Sequence, residues 1–294
     1  MKARLQILLA ALLWSTAGAA IKRCALDGWQ IAGGRSLVAG LFLLAAVPAT
    51  RRRPTRTVFL VSVAYAFTVV LFVNATKLTT AANAIFIQDI APLWVLLLSP
   101  LLLGERPTRG ELLAVPVYAL GLSMFFLDEL SGGQLTGNLV ALASGVAFAF
   151  TIVGLRKLRE DGPASLAWGN LLAAAMALPF GAGPSPTGLD LALVGYLGVF
   201  QLGVSYLVFT RGISATPAVE GALLVLLEPI LNPVWTYFAT GERPGPWALL
   251  GGAVVLAATA WRTLAPVLGL RRKAAALSPA PAPGTAPGRA PPPP

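Results

Sequence analysis

The sequence predicts an all-α membrane protein of about ten transmembrane helices, arranged as two inverted five-helix repeats. Three observations carry that prediction: the scarcity of charge, the length of the apolar blocks, and a motif that returns at a fixed distance. Of 294 residues, 56% are hydrophobic and 12% charged, with a mean hydropathy of +0.74. Soluble domains carry roughly 25% charged residues, so this chain has too little polar surface to cover a water-soluble globule. The apolar residues fall in blocks of about 17 to 23, the length that spans a hydrocarbon core of roughly 30 Å. A soluble bundle would place a polar residue at every third or fourth position instead.

Taken in order, the blocks predict helices over 5–22, 30–48, 58–76, 81–103, 110–127, 136–155, 164–181, 189–209, 217–239 and 246–265. The first follows Met1-Lys2-Ala3-Arg4 and contains Ala17-Gly18-Ala19, a pattern that also fits a secretory signal peptide. Its counterpart later in the chain argues that it is retained. Short connections hold the turn formers, among them Asp27-Gly28, Arg51 to Pro54, Ser131-Gly132-Gly133, Asp161-Gly162-Pro163 and Gly183 to Pro186. Thr136 and Asn138 stand where they could cap the sixth helix. After Arg271-Arg272-Lys273 the chain is mostly Ala, Pro and Gly as far as Pro294. Such a segment cannot bury a core, and 271–294 is expected to be a disordered cytoplasmic tail.

The basic residues give the orientation. With the N-terminus inside, seventeen of the 22 lysines and arginines fall on the inner side and four on the outer, and Arg35 lies within a helix. That bias predicts two cytoplasmic termini in the inner (cytoplasmic) membrane, and an even helix count agrees. The net charge of +10 is spread over short clusters between apolar blocks. It does not form one patch with interleaved aromatics, so nucleic acid is not an expected partner. One cysteine, Cys24, excludes an intramolecular disulfide framework or a multi-cysteine metal site. No histidine is present, which removes the commonest general base and metal ligand. Neither an enzyme, a cofactor nor a metal is expected.

The chain contains itself. Gly104-Glu105-Arg106-Pro107 returns 137 residues later as Gly241-Glu242-Arg243-Pro244, and the same offset aligns Pro92 with Pro229, Thr79 with Thr216 and Phe72 with Phe209. A fixed offset that also aligns a mid-helix proline is a repeat signal. Five helices per unit is an odd number, so the second unit (134–266) enters the membrane from the side opposite to the first (1–128). Inverted repeats of this kind are a recurrent plan of secondary transporters, with the substrate site near the midplane between the halves.

Over roughly residues 5 to 265 the chain resembles the EamA family of the drug/metabolite transporter superfamily. The residues that carry the resemblance are Ala11-Leu12-Leu13-Trp14-Ser15, Arg35, Ala91-Pro92-Leu93-Trp94 leading to Leu103-Gly104-Glu105-Arg106, and Leu227-Glu228-Pro229 leading to Thr240-Gly241-Glu242-Arg243. The resemblance implies ten helices in two repeats and a central cavity that opens to one side at a time. It also implies export or exchange of amino acids or other metabolites. One departure is that Ala91 stands opposite Glu228, so the glutamate is not duplicated.

Charged side chains at bilayer depth persist when they face a cavity or a partner. Asp89, Glu228, Arg35 and Glu220 qualify here. Glu228 lies beside Pro229, with Asn232 one turn on and Pro233 beyond. Pro92, Pro229 and Pro233 each free a backbone carbonyl and open their helix locally. Glu228 could line a site for a substrate amine or pin the bent helix, and its place in a family-wide motif favours the structural or gating role. Asp89 follows Gln88, and on a regular helix the two point about 100° apart, so only one can squarely face the cavity; Asp89 is the choice. Asn83 and Glu220 suit helix N-termini. For Arg35, pairing with an acid or snorkelling to the interface outweighs substrate binding. Trp14, Trp94 and Trp235 are candidates for the cavity wall, whereas Trp29, Trp247 and Trp261 suit the interfacial belt. Gly195, Gly198, Gly203, Gly251 and Gly252 suit close helix packing, and Gly-Glu-Arg suits a loop-fixing ion pair.

These features predict a secondary transporter that moves a small metabolite (an amino acid, amine or drug-like solute), in the export direction, by alternating access. The rival is a passive facilitator or channel-like pore. Expected partners are the small-molecule substrate and the lipid bilayer; coupling to a proton or counter-substrate, and a homodimer, are compatible with the same plan.

Overall fold

The computed structural model describes residues 2–104, 109–127, 134–158, 161–213 and 224–277. Ten helices account for nearly all of them, and no strand occurs among the described residues. They are α1 Lys2–Arg23, α2 Gly28–Ala46, α3 Arg56–Leu78, α4 Ala81–Leu102, α5 Arg109–Leu127, α6 Leu135–Leu158, α7 Gly162–Phe180, α8 188–213, α9 Leu227–Thr240 and α10 Pro246–Leu277. Seven of the described helices are long and apolar enough to cross a membrane by length and composition, and α5 and α10 contain the shorter apolar stretches Val115–Met124 and Pro246–Trp261. The protein is a multi-pass membrane protein.

Local chemistry sets the helix starts. Asp27 and Gln30 form a reciprocal capping box at α2, as Thr187 and Asp190 do at α8. Thr55 and Thr80 cap α3 and α4 by accepting from Val58 N–H and Asn83 N–H. The helix α6 starts at Leu135, two residues earlier than a cap at Thr136 requires. Asn138 lies within its first turn and turns its amide oxygen to Thr79 Oγ1 (2.8 Å) and Asn83 Nδ2 (3.2 Å). Asn83 and Asn138 therefore join α4 to α6 rather than cap their own helices; Glu220 lies outside the described residues. At the other end of the chain, α10 continues as helix to Leu277, past the Arg271 boundary expected from composition. Residues 278–294 lie outside the described residues.

The packing makes the inversion visible. The ends of α1 and α3 and the start of α6 share one face of the bundle, where Lys22 reaches the Thr79 carbonyl and Thr79 bonds Gln134 and Asn138. We call it the Arg23 face. The start of α1 and the end of α8 share the opposite, Lys2 face, where the carbonyl of Ala3 lies against Gly212. Thus α6 begins where α1 ends. Contacts between the halves come in related pairs: α3 packs on α6 as α8 packs on α1, α3 on α7 as α8 on α2, and α4 on α6 as α9 on α1. The pairs α2–α7, α4–α9 and α5–α10 each map onto themselves. The last is joined by Tyr118 and Thr259 (3.0 Å).

Small residues permit these approaches. Gly198 and Gly203 of α8 meet Val38 and Phe42 of α2, Gly252 of α10 meets the Phe86 ring of α4, and the Gly251 carbonyl lies against Gly121. Gly195 has open space around it and is no packing point. Gly104 and Gly241, equivalent in the repeat, both adopt left-handed backbone (φ 70° and 74°). They terminate α4 and α9 in the conformation that glycine tolerates best.

Candidate functional site

The two helices that carry the repeated proline, α4 and α9, are both interrupted. In α4 the helix halts at Asp89-Ile90 and restarts at Ala91, with Pro92 in its first turn. In α9 a turn at Leu226 precedes the segment starting at Leu227, with Glu228 in its first turn and Pro229 next. The two breaks fall at equivalent places in the repeat. Pro92 and Pro229 begin new helical segments, where a missing N–H costs little, whereas Pro233 lies inside a helix that continues without interruption to Thr240. Glu228 stands in the first turn of its half-helix, where the unpaired N–H groups favour negative charge, whereas Asp89 closes the segment before the break in α4.

The breaks border a cavity of about 610 Å³ between the halves. Its polar lining comes from Arg35 of α2, Thr68 of α3, Gln88 and Asp89 of α4, Thr151 of α6, Gln201 and Tyr206 of α8, and Glu228 of α9. Aromatic rings supply much of the remaining wall: Trp14, Phe72, Phe148 and Phe209. Trp14 packs on Tyr206 and Phe209 with centroids 5.1 and 5.0 Å apart, which ties α1 to α8.

Arg35 is fully enclosed, at 1% exposure, so it does not snorkel. Its guanidinium donates to Gln201 Oε1 (3.3 Å) and the Val69 carbonyl (3.1 Å). No acid lies within ion-pair distance of it among the described residues. Among the described residues, two donors of wall residues, Arg35 Nε and Trp14 Nε1, are buried without a partner. The cavity wall therefore carries a tryptophan from α1, an arginine from α2, and two carboxyl groups from α4 and α9. Its basic and acidic groups suit a small solute with both an acceptor and a donor or cationic group, and its rings suit an apolar body.

Of the residues singled out in sequence, the structure brings Asp89, Glu228, Trp14, Gln88 and Arg35 together here. Gln88 and Asp89 both line the cavity, because the helix stops between Gln88 and Ala91 and the 100° spacing of a regular helix does not apply. Gln88 also donates to Ser144 Oγ (2.6 Å). Trp94 and Asn232 are not on the wall. Trp94 lies beyond the interruption, five residues from Asp89, which is about 140° round even a regular helix. Asn232 is buried where α9 meets Gly18 of α1, and Trp235 donates to Ser15 Oγ (2.9 Å) at the same contact.

Sequence reasoning missed Gln201, Tyr206, Thr68 and Thr151. Gln201 carried a readable signal, an amide inside an apolar span, and it sits in a π-helical stretch, Leu197–Val204, of the kind that often marks functional sites. Thr68 and Thr151 bond each other across α3 and α6 (3.2 Å). Hydroxyls in apolar helices give no such signal, since they commonly bond their own backbone.

The EamA-like transporter family model matches residues 1–127 and again 135–263. An uncharacterized transporter of Archaeoglobus fulgidus is 32% identical over 71% of this chain and 78% of its own length. The uncharacterized transporter YwfM of Bacillus subtilis is 27% identical over 85% and 90%. The threonine/homoserine exporter RhtA of Escherichia coli is 27% identical over 66% of each chain. A solved structure with 22% sequence identity has the same fold, with a TM-score of 0.63 over 92% of this chain and 98% of its own.

Proposed function

Since the chain belongs to the EamA-like transporter family, we propose that it is a secondary carrier that exports a small zwitterionic or amine-bearing metabolite across the cytoplasmic membrane by alternating access. The single observation that carries this reading is the cavity at the junction of the halves. Arg35 and Trp14 line its wall, as do the acids Asp89 and Glu228. A solute with a carboxylate and an amine would meet a basic and an acidic group on the same wall. The threonine/homoserine exporter among the relatives makes amino acids the first class to test. The lysine and arginine bias sets both termini in the cytoplasm and the Arg23 face outside.

Two related half-structures about one site supply two packings of similar energy, as alternating access requires. The test is counterflow in proteoliposomes with radiolabelled amino acids and amines. Saturable uptake that is accelerated by unlabelled solute inside supports a carrier, while linear, unaccelerated flux would establish the pore. An imposed pH gradient separates the energetics. Stimulation that disappears in Asp89→Asn or Glu228→Gln supports proton coupling, and indifference to the gradient leaves exchange or facilitation.

A further inference from the structure

The repeated Gly-Glu-Arg-Pro motif is not explained by the cavity, and its second copy does something other than hold its own loop. Gly241 turns the chain sharply at the end of α9 and presents Glu242 to the opposite half of the protein. Glu242 Oε2 lies 2.8 Å from Lys22 Nζ of α1, and Oε1 accepts from the Ala81 N–H at the first turn of α4 (2.7 Å). Lys22 in turn donates to the Thr79 carbonyl (2.6 Å). Arg243 takes no part in this pair and lies over the Tyr237 ring, 5.6 Å from its centroid. One carboxylate thus ties α1, α4 and α9 together on the Arg23 face. Its partners are a cation and a helix N-terminus, both charge-assisted. The pair is about four-fifths shielded, with side chains 18% and 19% exposed, so water screens it less than an open surface bridge.

Beneath this tie the same three helices are shut. A methyl group placed on Gly18 would lie 2.9 Å from both the Ala81 Cβ of α4 and the Thr236 Oγ1 of α9, and would overlap the Asn232 amide oxygen. Trp14, Gly18 and Lys22 follow each other at four-residue spacing on α1, as Glu228, Asn232 and Thr236 do on α9. From the cavity to the Arg23 face, the same line therefore carries the wall, then a seal, then the ion pair.

We infer that Glu242 is the latch of a gate on the Arg23 face: by holding Lys22 and the α4 N-terminus at once, it sets how often the cavity opens to that side. This rests on the carrier reading. Opening parts α1 from α9, so it must break the ion pair and the Ala81 hydrogen bond together. Offsetting the latch, both amide atoms of Asn232 are buried at the seal without partners, which penalises the closed arrangement. The two terms keep the closed and open forms close in energy.

The test uses the full chain with Val69, on the cavity wall, replaced by cysteine in a Cys24→Ser background. The charged thiol reagent MTSET is applied to one face of vesicles of known sidedness. From the Arg23 face, Glu242→Ala should speed labelling by a factor of about 5 to 30, the span of one to two kcal/mol. Glu242→Gln keeps an acceptor for Ala81 and should give a smaller rise. The exchanged pair Lys22→Glu/Glu242→Lys restores the ion pair but not the helix bond, and should fall between Glu242→Ala and the parent. Equal labelling of Glu242→Ala and the parent overturns the latch. If Glu242→Ala is not monodisperse in detergent, Lys22→Gln reads the same gate with the Ala81 bond intact, and parental labelling there overturns the proposal equally. Labelling from the Lys2 face should fall as labelling from the Arg23 face rises. A rise on one face without a fall on the other leaves the latch standing and instead sinks alternating access.

Discussion

Gly18 of α1 and Asn232 of α9 meet with no space for a single added carbon, and this contact seals the Arg23 side of the cavity. Replacement of Gly18 by valine forces α1 away from α4 and α9. Overpacking of this kind costs about 1–3 kcal/mol, all of it borne by the closed form. Gly18→Val should therefore lower thermal stability in detergent and raise labelling of a cavity cysteine from the Arg23 face. Unchanged labelling from that face would show that the route runs elsewhere.

The amide of Asn232 is fully buried with neither its nitrogen nor its oxygen bonded. An orphan buried polar group costs about 1–3 kcal/mol, so Asn232→Ala should leave stability unchanged or raise the melting temperature. That is opposite in sign to the usual loss on truncating a buried side chain. It should also slow labelling of the cavity cysteine from the Arg23 face, because only the closed form carries the penalty. A marked loss of stability would mean that Asn232 is bonded in the membrane after all.

Arg35 spans α2, α3 and α8 through the Val69 carbonyl and Gln201. Arg35→Met leaves Gln201 Oε1 buried without its donor, at about 1–3 kcal/mol, while the Val69 carbonyl keeps its bond within α3; it also removes the cation from the cavity. Arg35→Lys keeps the charge but cannot reproduce the planar fork that reaches both acceptors. Thermal stability should order wild type, then Lys, then Met. Binding of a carboxylate-bearing hit should fall tenfold or more in Met. Gln201→Leu should lower stability while leaving binding less affected, since it removes a partner and not the charge. If Arg35→Met bound such a solute normally, Arg35 would be a purely structural tie.

Much of the architecture was legible before any coordinates, because membrane thickness fixes helix length and the repeat fixes their relation. The ten blocks and the inversion follow from those two constraints. The site was legible only in part. Arg35, Asp89 and Glu228 announce themselves because charge in an apolar span demands a reason. The pairing of Gln88 with Asp89 on one wall depends on where α4 stops. A proline permits an interruption there without dictating it: Pro92 and Pro229 follow breaks, and Pro233 does not. The role of Glu242 was hidden for another reason. Its natural partner in sequence is Arg243, and only the packing of the halves brings Lys22 closer.

Cys24 joins α1 to α2 on the Arg23 face and is 1% exposed. Burial pushes its thiol up to about 11, and the neighbouring Asp190 carboxylate, which accepts from Sγ at 3.3 Å, pushes the same way. The thiolate is the reactive form, and a free cysteine titrates near 8.5. A folded-state value of about 11 therefore leaves Cys24 almost wholly protonated at pH 8. Its alkylation by a charged maleimide should be about a hundredfold slower than that of an exposed cysteine, or slower still where burial also blocks access. The rate should climb about tenfold per pH unit as pH rises toward the folded value. Asp190→Asn removes the adjacent negative charge and should speed the reaction at pH 8. A rate that matched an exposed cysteine and levelled off near pH 9 would mean that this junction opens freely on the time scale of labelling.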